Sequence, residues 1–369
     1  MAIIEVEPTK EPRSEEKGLR QILSYEQRSF DLFKLVQIGI VYGERKIYIP
    51  TFLNRERKER IVFPQVWKVE KDGKKVEDIF DLLKPSTFLN VVRWYTFFKK
   101  GGKIVARYPQ YIASEKTIKT IREYLTGKTE KRDWLVWHWQ GSGKTYTMFF
   151  IANWFFEEFY AKDPVIIFLL DRIELQRQLY EDFIQPLKAE RFKNNLEIVD
   201  SIDKLKQIIT NLKRSEYKAI IPRGIYIVLI QKFRSEEFQE LLKELGREYL
   251  LEKENRLEED ENELLKAGAI KKREILILID EAHRSQYGTL ASTMKMVFPN
   301  AIRIAFTGTP IFSFERNTFR EFGHKPLDIY FIKDSIEDGF TVPIAYDVVK
   351  EKDMRINVSL PLLDNIEEL

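Results

Sequence analysis

Residues 134–145 read WLVWHWQGSGKT, and this stretch decides the fold. An apolar run, Trp134–Trp137, leads into a loop made of Gln140, Gly141, Ser142, Gly143, Lys144 and Thr145, and an apolar helix over Tyr146–Tyr160 follows. Phosphate chemistry needs this order. Glycines let the backbone bend so that its N–H groups point inward at an anion, and the N-terminus of the next helix adds its dipole. Lys144 is then placed to reach β- and γ-phosphates, and Thr145 to set its hydroxyl on Mg²⁺. At average residue usage the string GSGKT arises by chance on the order of once per million positions. The general pattern opens with glycine, where this chain has His138. That departure touches a single loop contact.

Working outward, short apolar runs alternate with helix-length amphipathic segments from about Asn90 onward, the signature of βαβ units on a parallel sheet. The runs are Trp134–Trp137, Val165–Leu170, Ile225–Ile230, Ile275–Ile279 and Ile302–Phe306. Their near-continuous apolarity suits strands buried on both faces. Crossover helices fit Tyr146–Tyr160, Glu174–Phe183 and Ile202–Leu212. The reading is a doubly wound α/β domain of about 250 residues. Arg247–Glu274 interrupts the rhythm, with Leu250, Leu257 and Leu264 seven apart on one helical stripe. Two heptads are short for a coiled coil, so a surface helix is expected. Before Lys84 the texture is mixed: a helical pattern from Gly18, strand-like stretches at Leu35–Val41 and Lys46–Pro50, and a basic loop (Arg55, Arg57, Lys58, Arg60) that reads as a solvated face or a DNA contact.

Composition bounds the rest. The 369 residues suggest roughly two domains. The absence of cysteine excludes disulfides, thiolate zinc sites and thiol nucleophiles. Three scattered histidines, His138, His283 and His324, argue against a histidine-rich metal cage. With 61 Lys+Arg against 58 Asp+Glu, nucleic-acid binding has to come from local patches. No apolar run approaches a membrane span and no signal peptide opens the chain, so a soluble intracellular protein is expected.

Two further motifs stand at strand ends. Asp280-Glu281-Ala282-His283 closes the run Ile275–Ile279. Beside a phosphate loop, Asp280 is suited to hold Mg²⁺ through water and Glu281 to orient and deprotonate an attacking water. His283 is suited to couple that site to a neighbouring motif. By itself such an acidic pair is often just a helix N-cap. Thr307-Gly308-Thr309-Pro310 is the third, an ordinary turn signature alone but a candidate sensor of the acidic pair in this series.

In this order and spacing the three resemble motifs I, II and III of superfamily 2 helicases and translocases. The strings WHWQGSGKT, DEAHRSQYG (Asp280 to Gly288) and FGHKPLDIYFIKDSIEDGFTVPIAYD narrow the match to the motor subunit of type I restriction–modification enzymes. IVARYPQY (Ile104 to Tyr111) is similar to that family's adenine-reading motif, which implicates Arg107, Gln110 and Tyr111. LLDRIELQRQL supplies motif Ia at Asp171 and Arg172, and LIQKF the segment around Gln231, Lys232 and Phe233; Arg172 and Lys232 are the implied contacts to DNA phosphates. For Arg172, a local pairing with Glu174 is an equal alternative.

The resemblance also implies a PD-(D/E)xK endonuclease domain ahead of the motor. In IIEVEP, Glu5 matches its metal-binding carboxylate, while Glu7 stands where the family has lysine, and the motif's preceding aspartate, which would fall before Met1, is absent from these residues. Gln21 and Tyr25 match the family's QxxxY motif, with i and i+4 spacing on one helix face. Metal-assisted phosphodiester hydrolysis needs several carboxylates and a cation, so no DNA cleavage by this chain is expected. About 60 residues after Thr309 are too few for a second RecA-like lobe, so ATP binding with slow turnover is expected.

The expected organisation is therefore a C-terminal remnant of an endonuclease domain over 1–88, a first RecA-like P-loop lobe over 89–350, and a linker over 351–369 toward a second lobe. The resemblance implies ATP and Mg²⁺ as cofactors, double-stranded DNA and the methylation and specificity subunits of the same enzyme as partners, no membrane, and a cytoplasmic location. Alternatives are another superfamily 2 DNA or RNA helicase lobe, against which SQYG and QxxxY speak, and a nucleotide-gated binding module. A small-molecule kinase has no use for the DEAH and TGTP turns.

Overall fold

A computed structural model describes residues 1–51, 64–99, 102–170, 196–215, 223–229, 240–241, 243–244, 274–280, 295, 298, 300–310, 318–323 and 325–342. Outside them lie the helix expected at Glu174–Phe183, nearly all of the leucine stripe within Arg247–Glu274, the basic loop at Arg55–Arg60, and residues 351–369.

The chain opens with β1 (Ala2–Val6), which pairs parallel with β2 (Ile38–Tyr42), and β2 pairs antiparallel with β3 (Lys46–Pro50). Between β1 and β2 lie α1 (Ser14–Arg28) and α2 (Phe30–Phe33), and Ile22 of α1 is fully buried. The sequence pattern placed the second strand at Leu35–Val41, but it begins three residues later. The N–H groups of Leu35 and Val36 turn back onto the carbonyls of Leu32 and Phe33, which leaves Leu35 exposed and outside the ladder. The Val36 carbonyl accepts instead from the Thr51 hydroxyl and from Lys103 Nζ (3.3 Å), and burial lowers the Lys103 ammonium to about 8.

β4 (Lys68–Lys71) and β5 (Lys74–Glu77) form a hairpin closed by Asp72-Gly73, both at positive φ (50° and 74°). That two-residue Asp-Gly turn matches the twist of the flanking strands. Next come α3 (Ile79–Leu83), whose N-cap Asp78 accepts from the Asp81 N–H, α4 (Pro85–Trp94) with proline in its first turn, an antiparallel pair β6 (Thr96–Lys99) and β7 (Gly102–Val105), and α5 (Tyr108–Leu125).

A seven-stranded sheet follows: β8 (Asp133–His138), β9 (Val165–Leu170), β10 (Leu196–Val199), β11 (Gly224–Leu229), β12 (Ile275–Asp280), β13 (Ile302–Thr307) and β14 (Asp328–Tyr330). Their order is β10-β11-β9-β12-β13-β8-β14 and every pairing is parallel. Alternate residues serve opposite faces, as a pleated strand requires. Ile166, Phe168, Leu276, Leu278, Ile304 and Phe306 join one core with α6 (Lys144–Glu158), while Ile167, Leu169, Ile277, Ile279 and Ala305 join the other with α7 (Ile202–Ser215) and α8 (Thr318–Phe322). This is the doubly covered α/β sheet expected from the continuous apolar runs, and it fits the RecA-like lobe that the resemblance implies. Five of its strands coincide with those runs. The other two, β10 and β14, carry too few apolar residues to stand out: LEIV and DIY.

The face holding α6 is continuous with the N-terminal core through an aromatic seam. Trp67 packs on Tyr111 (4.9 Å between ring centroids), Tyr111 on Tyr95 (4.9 Å), and Tyr95 on Phe150 of α6 (5.4 Å).

Candidate active site

Because the sheet is parallel, the C-terminal ends of β8, β12 and β13 open on one edge, and these three strands are neighbours. Ligands of open α/β sheets bind outside such carboxyl ends. Register sets the three candidate segments side by side: Thr307 lies opposite Trp137, and Asp280 opposite Phe306.

The loop after β8 bends through Gly141 and Gly143, at φ 85° and 83°. Gly143 is the N-cap of α6 and its carbonyl accepts from the N–H groups of Tyr146 and Thr147. A side chain at 143 would be strained, and its Cβ would stand 2.2 Å from Gln110 Nε2. Gln140 and Gly141 are exposed, Thr145 is half-buried, and Ser142 and Lys144 are buried. Lys144 Nζ lies 3.4 Å from the His138 carbonyl, to which it donates. α6 has no acidic residue in its first turn, so its positive dipole end faces the loop uncompensated by a carboxylate of its own. A buried ammonium, a helix N-terminus and two left-handed glycines form a cradle for an anion, and ATP phosphates fit that donor set.

Asp280, the last residue of β12, is buried at the same edge. In the turn after β13, Thr307 is buried and its Oγ1 accepts from the Thr309 N–H (3.2 Å). The Gly308 carbonyl accepts from Trp137 Nε1 (3.3 Å). A Cβ on Gly308 would meet Gln140 N at 3.2 Å and the His138 carbonyl at 3.3 Å, so this turn seats closely on the backbone of the loop after β8 and a side chain there would have to push it back by a few tenths of an ångström. The structure therefore brings Lys144, Thr145, Asp280, Thr307, Gly308 and Thr309 to one edge. Glu281, His283, Arg172 and Lys232 lie outside the described residues.

The N-terminus of α5 meets the loop from the side. Gln110 Oε1 accepts from the Arg107 N–H (2.8 Å) and its Nε2 donates to the Gly143 carbonyl (3.3 Å). The side-chain amide keeps a second N–H and a second lone pair beyond these two bonds. The Arg107 guanidinium stacks on Phe340 (4.1 Å), and burial lowers it from its ordinary value. Tyr111 sits in the aromatic seam.

One set of partners escapes sequence reasoning. The fully buried His138 ring places Nε2 2.7 Å from Asp328 Oδ2, and Asp328 also meets Lys75 (3.3 Å) and Lys116 (2.9 Å). The available signal was His138 standing in place of glycine.

In the separate three-stranded sheet, Glu5 is half-buried on β1, and burial followed by the nearby Glu7 carboxylate raises its carboxyl. Glu7 is buried and pairs with Lys17 of α1 (3.0 Å), whose ammonium that hydrogen bond raises. Tyr25 and Gln21 share an exposed helix face, hydroxyl to Oε1 at 3.4 Å. Among the described residues no group of three or more His, Cys, Asp or Glu is arranged to hold a metal ion. Also among them, no helix is long and apolar enough to cross a membrane.

A sequence profile of SWI2/SNF2 ATPases matches residues 109–366. The chain belongs to the SWI2/SNF2 ATPase family. The match spans all three strand-end motifs of this SWI2/SNF2 lobe. Two Methanocaldococcus jannaschii proteins, the MjaVIIP and MjaVIIIP type I restriction enzyme endonuclease subunits, are 39% and 37% identical to it over 96% and 97% of its length. The HindI endonuclease subunit of Haemophilus influenzae is 29% identical over 75% of the chain. The chain spans 40%, 34% and 24% of these three relatives. The resemblance to type I restriction subunits therefore runs along nearly the whole chain.

Proposed function

We propose that this chain is part of the DNA-translocating and DNA-cleaving subunit of a type I restriction enzyme and binds ATP with Mg²⁺ at the carboxyl edge of its sheet. The observation that carries the reading is the meeting of the glycine loop, Asp280 and the Thr307–Thr309 turn on three adjacent parallel strands. Backbone N–H groups over Gly141–Thr145, with Gln140 and Ser142, cradle the phosphates, and Lys144 neutralises the β- and γ-groups. Thr145 and Asp280 are the residues that would hold Mg²⁺, which when bound supplies charge neutralisation at the phosphates. Glu281 orients and deprotonates the attacking water; Thr307, Gly308, Thr309 and His283 couple the site to DNA movement. Arg107 and Gln110 flank the base, and Arg172 and Lys232 contact DNA phosphates.

In this reading residues 1–88 are the end of an endonuclease domain, 89–350 the first motor lobe and 351–369 a linker. Its partners are duplex DNA and the methylation and specificity subunits, in the cytoplasm. In this reading hydrolysis also calls on arginines of a second RecA-like lobe, and the described residues hold one such sheet, so slow turnover is the expected result for the 369-residue polypeptide. Turnover measured with and without duplex DNA tests this: fast DNA-stimulated hydrolysis would overturn the slow-turnover part, and failure to bind nucleotide would overturn the whole.

The nuclease part has its own expected result. Lys17 already neutralises Glu7, and among the described residues no group of three or more His, Cys, Asp or Glu is arranged to hold a metal ion. Supercoiled DNA incubated with the chain and Mg²⁺ should remain uncut. Cleavage that disappears in Glu5→Ala contradicts this.

A further inference from the structure

Resting on the nucleotide-binding reading above, we propose that His138 and Asp328 are positioning residues for the phosphate loop, and that Lys75 on the β4–β5 hairpin sets their position from outside the sheet. His138 is the last residue of β8 and joins two roles in one residue. Its backbone carbonyl receives Lys144 Nζ (3.4 Å) and borders the seat of Gly308. Its ring, with no exposed surface, is held by Asp328 at 2.7 Å. Burial lowers the imidazole from its ordinary value, so the neutral ring donates its Nε2–H to the carboxylate. Burial alone would raise Asp328, but the His138 hydrogen bond and the charges of Lys75 and Lys116 outweigh it and hold the carboxyl well below the usual range.

Two links fix this pair to the hairpin, and a third ties the hairpin to the residues after β14. Lys75 Nζ bonds Asp328 Oδ2 (3.3 Å) and donates to the next carbonyl, Ile329 (2.6 Å). Lys116 of α5 bridges Asp328 to Glu70 of β4 at 2.9 and 2.5 Å. Lys68 reaches Asp338 (2.6 Å), which also accepts from the hydroxyls of Tyr108 (2.6 Å) and Tyr330 (2.8 Å). The hairpin therefore holds β14 directly at Asp328 and Ile329 and indirectly at Tyr330 through Asp338, and β14 in turn receives the Trp139 N–H on the Tyr330 carbonyl (2.7 Å), one residue past His138. A displacement of the hairpin moves Asp328, the His138 ring and the peptide on which Lys144 leans. A glycine at 138, as in the general loop pattern, has no ring through which this could act.

Coupling of this kind is reciprocal: if the hairpin sets nucleotide affinity, nucleotide must steady the hairpin to the same extent. The test uses the 369-residue chain, Mg²⁺ and a non-hydrolysable ATP analogue. Affinity is measured for wild type, Lys75→Met and Lys75→Arg, and amide exchange over Lys68–Glu77 is followed with and without the analogue in wild type and Asp328→Asn. Lys75→Met should weaken binding about 10-fold, a coupling of ordinary size. Lys75→Arg should return to within about twofold, since the charge is kept. The analogue should slow hairpin exchange in wild type and fail to do so in saturated Asp328→Asn, a transfer that a merely structural ion pair does not produce. Normal nucleotide binding with hairpin exchange unmoved overturns the coupling alone, and it does so in wild type whatever the variants' stability. Absence of nucleotide binding by wild type overturns the coupling together with the reading on which it rests.

Discussion

Lys144→Ala is expected to lower the affinity for ATP and Mg²⁺ by about 100-fold, the equivalent of roughly two charge-assisted hydrogen bonds at 1.5–3 kcal/mol each less the cost of ordering the side chain. Lys144 is the first residue of α6, nearly buried, with Nζ directed to the His138 carbonyl at the sheet's carboxyl edge. An ammonium held there is desolvated before any ligand arrives, so an incoming phosphate recovers electrostatic energy with little reorganisation. Alanine keeps the helix, being the best helix former. Thermal unfolding of Lys144→Ala should therefore stay within a few degrees of wild type while isothermal titration loses its signal. Equal affinity in the two proteins contradicts the assignment of the phosphate loop.

The second large effect is on stability. Phe150→Ala should destabilise the chain by about 3–5 kcal/mol, read from denaturant midpoints. Phe150 is only 1% exposed and packs on Tyr95 (5.4 Å) and Phe97 (5.9 Å), so its removal opens a cavity where α6 meets the N-terminal elements. Tyr95 is held back from the space by its hydroxyl's bond to Glu115. Leu89→Ala provides the contrast: Leu89 is 63% exposed, and its loss should fall within about 0.5 kcal/mol. Equal effects of the two substitutions would mean that the aromatic seam is not a core.

How much of this could be read from residues alone follows from what each feature depends on. Strands such as Val165–Leu170 and Ile275–Asp280 announce themselves because burial on both faces demands unbroken apolarity. Asp328–Tyr330 does not, since three residues with an aspartate at the head carry no period. The glycine loop is legible because the backbone must take positive φ at Gly141 and Gly143, a local demand that only glycine meets cheaply. Gln110 was readable as a site neighbour through its resemblance motif, yet its bond to the Gly143 carbonyl was not, because that contact is set by how α5 lies on α6. The His138–Asp328 pair joins positions 190 residues apart, and nothing local to either residue signals the other. Lys17 at Glu7 is similar: a lysine on α1 neutralises the carboxylate that follows β1, and no spacing rule predicts which lysine does so.

The central claim is that one nucleotide site is assembled from the ends of β8, β12 and β13. A structure of the chain determined with a non-hydrolysable ATP analogue and Mg²⁺ tests it most directly. The account predicts triphosphate density inside the Gly141–Thr145 loop, within hydrogen-bond reach of Lys144 Nζ, with the cation between Thr145 and Asp280. Density for the analogue anywhere else on the molecule, with that loop empty at saturating ligand, would contradict it.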